Sequence, residues 1–205
     1  MTWLIGITGG IGSGKTTVCK IFESLNIPVY YADAKAKYLM NHNPALKTRI
    51  KEILGKGAYH RNGRLNRPFV AQKIFNNKNL LKAINQAVHP AVHQDSAIWV
   101  QGLKDVPYAL YEAALLVENG SYKSFNKLIV VAAPEEMRIK RVMKRDKVSK
   151  EQVSNRIKNQ LPESDKIALA DYIINNDETE SVDILVKELH HKIISDIHDN
   201  ISKPH

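Results

Sequence analysis

The chain has 205 residues, 43% hydrophobic and 25% charged, which suits one globular domain with a full core. Its formal net charge of +9 calls for an anionic partner: nucleic acid, a membrane surface or a phosphorylated metabolite. Cys19 is the single cysteine, which excludes an intramolecular disulfide and a cysteine-rich zinc site. No apolar run approaches the roughly 20 residues that span a bilayer, and the opening Met-Thr-Trp-Leu-Ile-Gly carries no basic leader, so the expected location is the cytoplasm, away from membranes.

In chain order, Trp3 to Thr8 is an apolar run that reads as a buried strand. A glycine-rich turn follows, then a helix with Val18, Ile21, Phe22 and Leu25 on one face. Past Pro28, Val29 to Ala32 reads as a second strand, so the opening is a βαβ unit with parallel strands. Residues 34 to 102 read as helices broken at Asn43-Pro44, Gly55-Lys56-Gly57 and Asn62-Gly63. Strand signals resume at Tyr108 to Ala113 and at Leu128 to Ala132. Pro134 with Glu135 and Glu136 opens a helix, and Ser149 with Gln152 forms a capping box for the next. Tyr172 to Asn175 is the last expected strand, and Val182, Leu185, Val186, Leu189 and Ile193 form the apolar stripe of a final helix.

The turn after the first strand is Gly9-Gly10-Ile11-Gly12-Ser13-Gly14-Lys15-Thr16, which satisfies G-x-x-x-x-G-K-[ST] between a strand and a helix. Glycines let backbone N–H groups approach phosphate oxygens, and the helix starting near Gly14 adds the positive end of its dipole. In such a loop Lys15 reaches the β- and γ-phosphates and the Thr16 hydroxyl ligates Mg²⁺. A guanine-reading N-K-x-D motif is absent, and the length is short for a motor or helicase. Two classes remain on the residues alone: a small-molecule kinase and a nucleic-acid-binding ATPase. The basic segment from Arg138 to Lys158 lacks interleaved aromatics and RNA-binding signatures, which argues against nucleic acid as partner.

Several further segments, in order, resemble the dephospho-CoA kinase family. They are Tyr31-Ala32-Asp33, Gly63-Arg64-Leu65-Asn66-Arg67 with Ile74-Phe75, His89-Pro90, Ala114-Leu115-Leu116-Val117-Glu118, and Gln160, Lys166, Ala170-Asp171 and Ile174-Asn175-Asn176. Three positions depart from the family pattern: Tyr31 replaces an acid, Ala114 a proline and Glu178 a glycine.

The resemblance implies an α/β fold, a P-loop NTPase-type parallel sheet of about five strands flanked by helices. It divides a single kinase domain into a core (1–33, 105–137, 167–205), a helical acceptor region (34–104) and a lid (138–166). The implied reaction uses ATP and dephospho-CoA with Mg²⁺, and no nucleic acid or membrane. On the donor side the resemblance places Gly10, Ile11, Gly12, Ser13, Gly14, Lys15, Thr16, Thr17, Arg141, Arg145 and Asn176, with Thr16 on the metal. On the acceptor side it places Thr8, Asp33, Arg67, His89, Leu115 and Leu116. Lys15, Asp33 and Arg141 are the implied catalytic residues, Asp33 as base or as positioning group for the acceptor hydroxyl. Competing readings stand beside several of these. Asp33 also suits an N-cap for a helix starting at Ala34, His89 a cap or packing role before Pro90, and the leucines plain core packing. Arg138, Arg141 and Arg145 fall on one helix face, which is otherwise a solvated face.

Overall fold

The computed structural model describes residues 2–75 and 77–201. Five strands form one sheet: β1 (Trp3–Thr8), β2 (Val29–Tyr31), β3 (Tyr108–Glu112), β4 (Lys127–Ala132) and β5 (Tyr172–Asn175), in the order β2-β3-β1-β4-β5. The pairings β1–β3, β1–β4 and β4–β5 are parallel, with Ile7 opposite Glu112 on one side and Ile129 on the other. β1 is therefore central, and Ile5, Ile7, Leu110, Ile129 and Val130 are wholly buried. Strands covered on both faces read as continuous apolar runs, which is why the periodicity located them. The expected α/β class, a parallel sheet of about five strands flanked by helices, is what the chain forms.

The chain divides into two compact units. One runs up to Tyr30 and resumes at Lys104; the other is Tyr31–Leu103. In the first unit, α1 (Lys15–Ser24) buries Val18, Cys19 and Phe22 and packs on α9 (Val182–Ile201), whose Val186, Leu189 and Ile193 form the expected stripe. α6 (Glu135–Asp146) and α7 (Lys150–Lys158) pair through Ile139, Val142 and Val153, with Ile11 of the glycine-rich loop packed against them. The Ser149–Gln152 capping box opens α7 as expected. The short α8 (Glu163–Ile167) follows.

The second unit is helical: α2 (Ala32–His42), α3 (Pro44–Leu54), α4 (Arg67–Phe75) and α5 (Lys78–Gln101). One boundary differs from the sequence reading. β2 stops at Tyr31, and the chain turns straight into α2 at Ala32. His89-Pro90 does not interrupt its helix: α5 runs through Pro90, anchored by Ile84, Val88, Val92 and Ser96 on its buried face. Proline forfeits one hydrogen bond inside a helix, and tertiary packing of that face offsets the loss.

Candidate active site

The glycine-rich loop joins the C-terminal end of β1 to the N-terminus of α1, the place where open α/β sheets bind ligands. Gly14 sits at φ 96, and a Cβ there would strike the Asn176 side chain, so only glycine fits. Lys15 Nζ donates to the carbonyls of Gly9 at 2.7 Å and Gly10 at 3.4 Å, which holds the ammonium over the loop. Thr16 and Thr17, at the start of α1, are exposed. Ser13 is wholly buried, and its Oγ has no hydrogen-bond partner among the described residues.

Residues far away in the chain complete the loop. Asn176 Nδ2 donates to the Ser13 carbonyl at 2.8 Å, and Gln160 Oε1 accepts from Ile11 N–H at 2.8 Å. Arg141 Nη2 donates to the Asn176 carbonyl at 3.1 Å and to Glu178 Oε1 at 2.9 Å. Arg141 Nη1 is buried with no acceptor among the described residues. Arg138 is buried as well and packs where a Cβ on Gly10 would stand; its nearest carboxylate oxygens, on Glu163 and Glu135, are 3.8 and 3.9 Å away. Its Nε has no hydrogen-bond partner among the described residues. Buried donors without acceptors are costly, and an anion at the loop supplies what Arg138 and Arg141 lack.

Of the three arginines on one face of α6, the structure brings two to the loop. Arg145 is 62% exposed and bonds Asp146, which also takes Arg156. Those hydrogen bonds, from Arg145 first, hold the Asp146 carboxyl down at about 2. Arg145 therefore stands apart from the loop.

On the candidate acceptor residues the structure is equally selective. Leu116 is 1% exposed, in a cluster with Val117, Leu128 and Val130, whereas Leu115 is 47% exposed. Core packing accounts for Leu116, and Leu115 is the one presented to solvent. Thr8 is wholly buried and donates to the Ala114 carbonyl at 3.3 Å, fastening the end of β1 to the segment after β3. Glu118 takes Lys166 Nζ at 2.6 Å and the Leu161 N–H at 3.3 Å, an internal clip. In the helical unit, Asp33 is exposed in the first turn of α2, where Tyr31 is the N-cap and no side chain makes the cap bond. The capping reading of Asp33 is corrected, because the helix starts two residues earlier than expected. Arg67 lines a hollow with Lys47 and Arg64. His89 is exposed on α5 and neither caps nor packs, because Pro90 does not end the helix.

The sequence reading did not single out Arg138 for the loop, nor Glu112. Glu112 is buried at the C-terminal end of β3, opposite Ile7. Its signal was an acid closing an apolar strand at the ligand-binding edge. Burial first, and then Glu112, push the Cys19 thiol up, so that cysteine is no nucleophile. No group of three His, Cys, Asp or Glu side chains that could hold a metal occurs among the described residues. A Mg²⁺ shared between the exposed Thr16 hydroxyl and substrate phosphates needs no such cage.

A central parallel strand, a glycine-rich phosphate loop and two arginines that each keep a buried nitrogen without an acceptor among the described residues define a P-loop phosphotransferase. The dephospho-CoA kinase family model matches residues 3–181. A dephospho-CoA kinase from Salinibacter ruber is 39% identical over 177 residues, covering 85% of this chain and 89% of the relative. A solved Thermus thermophilus structure is 32% identical with a TM-score of 0.82, covering 95% of this chain and 97% of that one. The dephospho-CoA kinase structure from Campylobacter jejuni is 26% identical with a TM-score of 0.69, covering 94% and 98%. The chain belongs to the dephospho-CoA kinase family.

Proposed function

We propose that the chain transfers the γ-phosphoryl group of ATP to the ribose 3′-hydroxyl of dephospho-CoA, giving coenzyme A and ADP. The reading is carried by the loop over which Lys15 is held and at which Arg141 keeps a buried donor without an acceptor. Family membership over residues 3–181 supports the choice of acceptor.

In the reaction the acceptor oxygen bonds to the γ-phosphorus, the bond from that phosphorus to the β,γ-bridging oxygen breaks, and ADP leaves. Asp33 positions the hydroxyl and takes its proton. Backbone N–H groups of Gly10 to Thr16 cradle the donor phosphates, while Lys15 and Arg141 offset the charge on the transferring group. Mg²⁺, held through Thr16, would neutralise charge on the β- and γ-oxygens. Asn176 supports the loop from beneath and steers Arg141. The Tyr31–Leu103 unit takes the acceptor, and residues 138–166 act as the lid. Cytoplasmic location fits a chain in which no described helix is long and apolar enough to cross a membrane.

The test is phosphoryl transfer from ATP to dephospho-CoA, with the product identified by mass and by the position of the new phosphate. Other alcohols, among them shikimate and nucleosides, serve as competing acceptors. Transfer to one of those in preference to dephospho-CoA overturns the reading. Lys15→Ala is expected to fold normally and lose nearly all transfer.

A further inference from the structure

The helical unit contains a hollow of ≈ 640 Å³ whose lining includes Lys47, Arg64 and Arg67 and no aspartate or glutamate. None of these three cations has an ion-pair partner among the described residues. The walls are built rather than incidental. Tyr59 and Leu65 form an antiparallel bridge, and within that hairpin His60 N–H donates to the Arg64 carbonyl at 2.9 Å. Asn41 Oδ1, on the last turn of α2, accepts from Leu65 N–H at 2.9 Å, and Asn62 Oδ1 accepts from Arg64 N–H at 3.0 Å. The backbone carrying Arg64 is thereby pinned to the end of α2. Lys47 Nζ lies 5.3 Å from the Tyr59 ring centroid and 3.3 Å from where a Cβ on Gly63 would stand. The buried Tyr59 hydroxyl donates to the Met40 carbonyl at 2.7 Å, so the ring on which Lys47 rests is itself fixed.

Three cations around one hollow repel each other unless an anion joins them. Guanidinium forks suit phosphate oxygens, and the volume is that of a small-molecule site rather than of a single ion. α2 links this hollow to Asp33: from Asp33 to Asn41 the helix rises about 12 Å. A nucleotide's reach from 3′-hydroxyl to 5′-diphosphate, extended by a long basic side chain, covers such a distance.

We infer that this hollow binds the 5′-diphosphate bridge of the acceptor through Lys47 and Arg64 together with Arg67. The inference rests on the proposed function for the identity of that acceptor. It makes Lys47 and Arg64 specificity-determining, because they separate an acceptor with a diphosphate from a bare nucleoside.

The test titrates dephospho-CoA, adenosine and inorganic pyrophosphate into the wild-type chain and a Lys47→Ala/Arg64→Ala double variant, with the thermal midpoint checking that both fold alike. Dephospho-CoA is expected to bind the variant about 10- to 100-fold more weakly, the effect of one or two lost charge-assisted hydrogen bonds. Adenosine affinity is expected to hold, and the dephospho-CoA difference to shrink as salt rises. Equal dephospho-CoA affinity in the two proteins overturns the inference, as does an equal loss for dephospho-CoA and adenosine. A wild-type chain that does not phosphorylate dephospho-CoA, yet binds pyrophosphate in a Lys47- and Arg64-dependent way, refutes the proposed acceptor while supporting the hollow as a diphosphate site.

Discussion

Arg141 Nη2 lies 2.9 Å from Oε1 of Glu178, which stands at φ 67 where the family pattern has glycine. The carboxylate thus competes for the guanidinium proposed to meet the donor phosphates. Glu178 is 69% exposed, so the pair is worth under about 1 kcal/mol and its removal is expected to tighten ATP binding by at most about fivefold. Glu178→Gln should give that gain alone. Glu178→Gly should give it together with about 1 kcal/mol of stability, because glycine accepts the left-handed backbone without a Cβ clash. ATP titration and thermal unfolding of both variants check this; unchanged ATP affinity in both removes the competition.

Asp33 separates chemistry from helix stability more cleanly than its sequence position suggested. No cap bond is made by its side chain, so Asp33→Asn loses only a charge near the helix N-terminus, about 0.3–1 kcal/mol. The turnover number is expected to fall on the order of 10²-fold or more with the loss of the base, while ATP affinity holds. Steady-state kinetics beside a thermal midpoint decide it, and wild-type turnover in a stable Asp33→Asn chain withdraws the role.

Lys166 is 1% exposed, with Nζ 2.6 Å from Glu118 Oε1. Lys166→Ala leaves a largely buried carboxylate without its counter-charge and is expected to lower unfolding free energy by about 3–5 kcal/mol. Removing both charges, as in Lys166→Met with Glu118→Gln, should restore much of that loss, since the desolvation penalty disappears with them. Urea unfolding of the single and double variants measures the difference.

His190 shares a hydrogen bond of 2.8 Å between its Nδ1 and the Tyr108 hydroxyl. Burial first, and then His191, hold its pKa below the ordinary 6.5. The unfolded chain therefore binds this proton more readily than the folded one. The stability that the site contributes is complete above 6.5 and drains away as pH falls through that value toward the folded pKa. His190→Gln, which carries no such proton, is expected to flatten the decline of the thermal midpoint between about pH 7.5 and 5.5. An unchanged slope assigns the decline to other groups.

The phosphate loop, its flanking strand and helix, the Ser149 capping box and the strands of the sheet were legible because each is written locally, in glycine spacing, cap chemistry and apolar runs. The start of α2 was not: Ala32 fits a strand as well as a helix, so the capping role of Asp33 depended on a boundary that local pattern leaves open. For His89 the sequence allowed a cap or packing role before Pro90, yet the buried face of α5 carries the helix through that proline. Spacing put Arg138, Arg141 and Arg145 on one helix face, but only the docking of α6 decided that Arg138 is buried against Gly10 and Arg141 bonds Asn176 beside the loop while Arg145 turns to Asp146. The same holds for Leu115 and Leu116, adjacent in sequence and opposite in exposure. By itself the sequence determined the phosphate-binding chemistry, since a loop's backbone geometry follows from its own residues. Tertiary structure alone decided which distant side chains complete the site, because the bonds of Asn176 to Ser13 and Gln160 to Ile11 depend on β5 and the chain after α7 folding back onto the loop.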